Sequence, residues 1–218
     1  MTYTTNEDKG QAYNRIAVIS QFTLGLYHQA HPHIREKNDY APLEKKLLAS
    51  YGYTCQDSDT PIQYVYTNNN VQMGTLLCYE STSIEERAAF KNNTDLMCIP
   101  ENNKDTAYFS SIIHSLVRDL YIYVAQSNNS EYGDSRITGP FSTTLMDIVK
   151  VKGGDNTEIL VGTVNINELR QQKQNKIINL MDEVSDILDL YNNNATDEDF
   201  KPYFSGTHDK YKHPSART

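Results

Sequence analysis

Three histidines form the only local cluster of metal-type ligands in the sequence: His28, His31 and His33. This segment is predicted to end a helix, so His28 and His31, three residues apart, would share one face. Pro32 turns the chain and would let His33 join them. Three imidazoles with an open fourth position suit a catalytic zinc ion. The alternative interpretation is a polar helix C-terminus, where partly cationic side chains interact favourably with the helix dipole.

Cysteine chemistry is a second route to catalysis. Cys78 is predicted to lie in a strand, Cys98 comes just before Pro100, and His114 lies on a predicted helix. A cysteine nucleophile needs a base such as histidine within hydrogen-bond reach. Because His114 is placed on the polar face of its helix, buried structural cysteines and a surface histidine are the favoured interpretation. A Cys–His hydrolase or transferase remains the alternative.

Other site motifs are absent from the sequence. It contains no GxSxG, Walker-type, GxGxxG, HExxH or EF-hand pattern. No cofactor is therefore predicted, apart from the zinc alternative. Three cysteines without CxxC spacing and an N-terminus without a secretory signal predict reduced thiols in the cytoplasm.

Acidic residues are concentrated near the C-terminus, and the formal net charge is −8. Residues 182–199 contain acids and no lysine or arginine, and Asp182, Asp186 and Asp189 line one face of a predicted helix. Such a face is either simply solvated or a dock for a protein partner with a basic surface. The net charge disfavours nucleic acid as a partner. Apolar runs such as residues 16–19 are too short to span a membrane.

The elements that must position these residues are predicted from periodicity and capping. Helices are expected over residues 6–30 and 42–52, from residue 83, from residue 105 and over 165–191, with hairpins over 62–80 and 145–164. Residues 127–140 are expected to form a long mobile loop. The order α-α-ββ-α-α-ββ-α predicts an α+β fold with helices packed on antiparallel β-hairpins. Residues 1–194 would form a single domain, followed by a loosely ordered tail over 195–218.

The polar, acidic C-terminal region and the lack of a classical signal peptide resemble effector proteins that intracellular bacteria deliver to host cells. The first functional hypothesis is therefore a protein–protein interaction module, of which such an effector is one form, either cytoplasmic or delivered to a host cell without a Sec-type signal. The alternative is an enzyme with a non-motif site, either a His-cluster metal hydrolase or a Cys/His hydrolase or transferase. A second alternative is an acidic chaperone or adaptor.

Overall fold

The computed structural model describes residues 2–6, 10–24, 27–58, 64–141, 146–155 and 157–192. The chain divides into two compact units, residues 1–169 and 170–218. The strands are β1 Thr2–Asn6, β2 Gln11–Leu24, β3 Tyr27–Glu36, β4 Val65–Asn68, β5 Val71–Thr75, β6 Leu96–Pro100, β7 Tyr123–Ser127, β8 Gly133–Thr138 and β9 Asp147–Lys152. The helices are α1 Pro42–Ser50, α2 Ile84–Ala88, α3 Thr106–Leu120 and α4 Ile166–Asn192, with a 3-10 helix over Cys78–Thr82.

The helix predicted over residues 6–30 is wrong, because this segment forms an antiparallel sheet in the order β1-β2-β3. The spacing of Ala12, Ile16 and Ile19 fits a helix, but the same run also alternates with a two-residue period. Ala12 is buried and Ile16 is half-buried, whereas Ile19 is 67% exposed. Beta-branched residues in such an alternation favour a strand, and pairing with β3 decided between the two periods.

The second sheet has six strands in the order β4-β5-β6-β7-β8-β9. Strands β5, β6 and β7 are parallel, and the remaining pairs are antiparallel. Helix α2 connects β5 to β6, and helix α3 connects β6 to β7, so both are crossover helices. The predicted α+β class, with helices packed on antiparallel hairpins, is therefore wrong: the sheet is mixed and its centre is parallel.

The main core lies between this sheet and its crossover helices. Strand residues Met97, Ile99 and Val124 are buried against helix residues such as Ile113 and Leu116. The predicted apolar stripe of α3 therefore faces the sheet, as its 3.6-residue period requires.

Several local predictions are confirmed. Asn69 and Asn70 form the β4–β5 turn with φ of 47° and 63°, values that asparagine tolerates. Ser83 caps α2 by accepting a hydrogen bond from the Glu86 backbone N–H, and Asp105 caps α3. These signals are local, so they depend little on the rest of the fold.

The expected loop over residues 127–140 is wrong, because it contains β8, which pairs with both β7 and β9. The expected hairpin over 145–164 is wrong for the same reason: β9 pairs with β8, and residues 157–164 form no strand. The side-chain amide of Asn128 donates to the Gly133 carbonyl at 2.8 Å and so fixes the start of β8.

Gly133 is required by both its backbone and its surroundings. Its φ is +71°, and a Cβ there would lie 1.9 Å from the Gly153 backbone nitrogen. We expect Gly133→Ala to lower the free energy of unfolding by about 3 kcal/mol or more, because two backbone segments would have to separate. The control is Gly52→Ala, where φ is +82° but no atom lies within 4 Å. Only the left-handed conformation is penalised there, by about 1 kcal/mol. Urea titrations that gave both variants equal losses would contradict the role of the Gly133–Gly153 approach.

In the second unit, the described residues belong to α4, which starts in the first unit at Ile166. Asn165 caps this helix, because its side-chain oxygen accepts a hydrogen bond from the Glu168 backbone N–H at 3.1 Å. The predicted domain end at residue 194 and the tail over 195–218 lie outside the described residues and stay predictions. None of the helices in the described ranges is long and apolar enough to cross a membrane.

Candidate active site

Polar side chains collect where the three parallel strands end. Cys78 follows β5, Glu101 follows β6, and Gln126 lies near the end of β7. Because the carboxyl ends of parallel strands meet at one edge of a sheet, residues far apart in sequence come together there. This edge is the place in the fold where a site is expected.

Cys78 is the first residue of the 3-10 helix that follows β5 after two residues. Its φ is +50°, an uncommon conformation for a residue other than glycine. The preceding Leu76 and Leu77 are fully buried, so the chain turns sharply directly after the sheet. Backbone strain of this kind is retained where the surrounding structure holds it, and it is concentrated at functional sites.

Glu80 holds this turn against the end of β3. Its buried carboxylate accepts from the backbone N–H of Leu77 at 2.6 Å and from that of Asn38. The carboxylate also accepts hydrogen bonds from both terminal nitrogens of Arg35, at 2.9 and 2.6 Å, which makes a bidentate ion pair. The side chains of Arg35 and Glu80 are 1% and 0% exposed. Residues 35–38 are thereby fixed beside Cys78.

Lys37 is brought to the site by this connection. Its side chain is 1% exposed, and Nζ lies 2.5 Å from Glu44 Oε2 on α1. Glu44 also accepts from Asn14 Nδ2 at 2.8 Å, which fixes the carboxylate from strand β2. Nζ lies 5.5 Å from the centre of the Tyr40 ring. A buried ammonium group is thus held in one orientation, as a preorganised positive charge.

The thiol of Cys78 experiences several opposing influences. Burial raises its pKa above the ordinary value, and the negative charge of Glu101 adds to the rise. The backbone N–H of Asn102, the charge of Lys37 and the side chain of Asn103 each lower the pKa. All three would stabilise a thiolate once it forms, which is the requirement for a cysteine nucleophile.

Asn103 joins the thiol to a buried carboxyl group. Its side-chain nitrogen lies 3.3 Å from Cys78 Sγ and 3.3 Å from Glu101 Oε2. The same oxygen of Glu101 accepts from Gln126 Nε2 at 2.9 Å. Burial raises the pKa of Glu101 to about 7, although these two hydrogen bonds and the charge of Arg136 act against the rise.

A cavity of about 390 Å³ lies beside Lys37 and Asn38. Tyr13, Tyr40 and Tyr64 contribute aromatic surface to it, and further lining comes from residues 54–58. Its size is at the small end of the range for ligand pockets. The cavity therefore places room for a small molecule next to the buried ammonium group.

The predicted metal ligands lie on strand β3 rather than at the end of a helix. On a strand, positions 31 and 33 lie on one face and position 28 on the other, so the helical geometry assumed for them is wrong. His33 is exposed, whereas the side chains of His28 and His31 lie outside the described ones. Within the described residues, no group of three His, Cys, Asp or Glu side chains is placed to hold a metal ion. Zinc binding by the three histidines stays a prediction.

His114 lies close to Arg136 and Asp147. Its Nε2 is 3.1 Å from Arg136 Nη1 and 3.6 Å from Asp147 Oδ1. Cys98 lies in β6, where burial raises the pKa of its thiol. The prediction that Cys78 lies in a strand is wrong, because Cys78 lies in the turn that follows β5. The charged groups that act on the Cys78 thiol are Lys37 and Glu101, rather than a histidine.

The predicted partner-binding acids lie on α4. Asp182 is exposed, and the side chains of Asp186 and Asp189 lie outside the described ones. Their role in binding a partner stays a prediction.

A local signal for Cys78 is present in the sequence. Residues 71–77 read as a strand, Cys78 follows at once, and the capping box begins at Ser83. A nucleophile on a sharp turn between strand and helix has this arrangement. Lys37 and Glu44 carry no comparable signal, because only tertiary contacts bring them to the turn.

No protein-family model matches the sequence, and no curated protein matches it at a significant level. Solved structures match the fold. One is a CN-hydrolase superfamily protein from Xanthomonas campestris with an arsenic adduct in its active site. It has a TM-score of 0.54 and 9% identity, over 74% of this chain and 66% of its own. An amidase from Nesterenkonia sp. matches with a TM-score of 0.45 and 18% identity, over 56% of this chain and 46% of its own.

This chain therefore shares its fold with the CN-hydrolase superfamily protein, and folds of that kind are α-β-β-α sandwiches. The chain spans about half the length of the amidase and about two thirds of the CN-hydrolase protein. The prediction of a protein-binding effector is wrong on this comparison, because the structure that shares the fold is a CN-hydrolase superfamily protein. The comparison gives delivery to a host cell no support.

Proposed function

We propose that the chain carries the nucleophile of an enzyme that cleaves the C–N bond of amides, with Cys78 as that nucleophile. The observation that carries the proposal is the placement of Cys78. It lies in a strained turn at the carboxyl edge of parallel strands, under the influence of the buried ammonium group of Lys37. The CN-hydrolase fold supports the same reaction class.

The chemistry follows from these groups. The Cys78 thiolate attacks the carbonyl carbon of the amide, and the carbonyl oxygen becomes an oxyanion in the tetrahedral intermediate. The proton that the Cys78 thiol loses on attack is transferred to the departing nitrogen, so collapse of the intermediate expels a neutral amine and leaves a thioester on Cys78. Water then hydrolyses the thioester to the acid and restores the thiol. Lys37 stabilises the negative charge on sulfur and oxygen, since its charge is buried and already oriented.

Glu44 is the positioning residue for Lys37. Amidases of the nitrilase superfamily use a Cys-Glu-Lys triad, and Cys78, Glu44 and Lys37 supply these three residue types. Glu44 on α1 accepts from both Lys37 and Asn14, so the bond to Asn14 on β2 holds the carboxylate that positions the ammonium group.

The test uses the full chain and an activated acyl donor, p-nitrophenyl acetate, followed by ammonia release from simple aliphatic amides. Peptide mapping of acid-quenched samples should locate the acetyl thioester on Cys78. Acetylation of Cys55 or Cys98 instead, or no ammonia release above the buffer rate, would overturn the proposal.

Replacement of Lys37 by glutamine should slow thioester formation about 100- to 1,000-fold, because one preorganised stabiliser of the oxyanion is lost. The matched control is Lys45→Gln on α1, whose partner is Asp57 and whose side chain is 39% exposed. Burst kinetics with p-nitrophenyl acetate measure both variants. Equal rates for the two variants would remove Lys37 from the site.

A further inference from the structure

The Asn103 side chain has two acceptors for one amide nitrogen. Its Nδ2 lies 3.3 Å from Cys78 Sγ and 3.3 Å from Glu101 Oε2. An amide NH2 group has two hydrogens, one for each acceptor. If the amide were flipped, its oxygen would face both a carboxylate and a sulfur that becomes negative. Ionised Glu101 therefore determines which end of Asn103 faces Cys78.

The loop that carries these residues is anchored independently of the two side chains. The backbone N–H of Glu101 donates to the Ser127 carbonyl at 2.7 Å. The Asn103 backbone N–H donates to Asn128 Oδ1 at 2.9 Å, and Asn128 Nδ2 donates to the Asn103 carbonyl at 2.9 Å. Side-chain replacements at 101 and 103 thus leave the backbone contacts of the loop in place.

The Glu101 carboxyl is bonded unevenly. Its Oε2 accepts from Gln126 and Asn103, whereas its buried Oε1 has no hydrogen-bond partner among the described residues. The charged groups of β8 that act on it are Arg136, which favours the ionised form, and Asp134, which opposes it. Gln126 and Asn103 both donate to Glu101 Oε2. The bond from Asn103 holds the Asn103 amide in one orientation.

We propose that Asn103 and Glu101 are positioning residues for Cys78: the Glu101 carboxylate orients the Asn103 amide so that its N–H stabilises the Cys78 thiolate. The inference rests on the proposed function for the importance of Cys78, but its geometry does not depend on any substrate. In this arrangement the sulfur of Cys78 is stabilised by the neutral N–H of Asn103 as well as by the charge of Lys37.

The test is the pH dependence of alkylation of Cys78 by iodoacetamide in the full chain, resolved from Cys55 and Cys98 by peptide mapping. Asn103→Leu removes a hydrogen bond to a charged group. It should raise the apparent pKa of Cys78 by about one unit and slow alkylation at pH 7 about tenfold. Asn103→Ala should give the same shift, and the thermal midpoint of each variant reports folding. Asn102→Ala is the matched control, because only its backbone contacts the thiol.

Glu101→Gln distinguishes positioning from simple charge. The Glu101 charge alone raises the pKa of Cys78, so its removal should lower that pKa in the Asn103→Leu background. With Asn103 present, loss of orientation should cancel or reverse this decrease. Equal decreases in both backgrounds would overturn the inference, as would an unchanged profile for Asn103→Leu. If the chain hydrolysed no amide, the proposed function would be wrong, but the alkylation of Cys78 would still test the inference.

Discussion

Replacement of Cys78 by serine is expected to reduce amide hydrolysis at least about 1,000-fold. A hydroxyl is a weaker nucleophile than a thiol at neutral pH, and loss of a nucleophile removes the covalent route entirely. Serine retains the shape of the side chain, so the turn with φ of +50° and its bonds to Glu80 should persist. The rate of ammonia release and the urea midpoint are measured on the same preparation.

The control for this prediction is Cys98→Ser, a second buried thiol located in β6. Its activity should stay within about twofold of the parent chain, because no step of the proposed reaction uses it. If Cys78→Ser retained activity and had the same urea midpoint as the parent chain, Cys78 would not be the nucleophile. If both serine variants lost activity together, the loss would reflect packing rather than chemistry.

The largest stability effect is expected at the Arg35–Glu80 ion pair. Glu80→Gln should lower the free energy of unfolding by about 3–5 kcal/mol, since it leaves the Arg35 charge buried without a counter-ion. Arg35 lies on β3 and Glu80 in the turn after β5. The replacement should therefore also slow thioester formation on Cys78, because it loosens the connection that brings Lys37 to the site. Urea unfolding monitored by circular dichroism measures the first effect.

Two comparisons isolate the buried pair. Glu36→Gln breaks the Arg15–Glu36 pair, whose side chains are 33% and 50% exposed, and should cost at most about 1 kcal/mol. Arg35→Gln added to Glu80→Gln should cost little more, because the unpaired charge is then gone. Additive losses in that double variant would mean that the two side chains contribute to stability separately.

Elements stabilised by local signals were predictable from the sequence. The caps at Ser83 and Asp105 each combine a side chain with its own neighbouring backbone, and the turn at residues 69–70 depends on the tolerance of asparagine for positive φ. The apolar stripe of α3 likewise needs only a 3.6-residue period. For these elements the sequence and the structure agree, because few competing conformations satisfy the same residues.

Strand pairing was not predictable in the same way. Residues 11–24 fit both a helical and a two-residue period, and the partner strand β3 decided between them. Residues 133–138 look like a loop in isolation, yet they pair on both sides, and Asn128 fixes where they start. The parallel order β5-β6-β7 depends on contacts between segments more than 20 residues apart, which no short pattern contains.

The candidate site likewise has one part that was predictable from local sequence and one part that depends on tertiary contacts. By itself the sequence determined the capped helix that begins after Ser83, but it placed Cys78 inside the preceding strand. The turn after β5 that holds Cys78 was decided by the tertiary structure. Only the tertiary structure decided that Lys37 and Asn103 act on that cysteine and that Glu44 holds Lys37. Lys37 comes from the β3–α1 connection, Glu44 from α1 and Asn103 from the β6–α3 connection. The buried Arg35–Glu80 pair joins the end of β3 to the turn. The physical reason is that a chemical site depends on distances across strands, whereas a sequence pattern records only spacing along the chain.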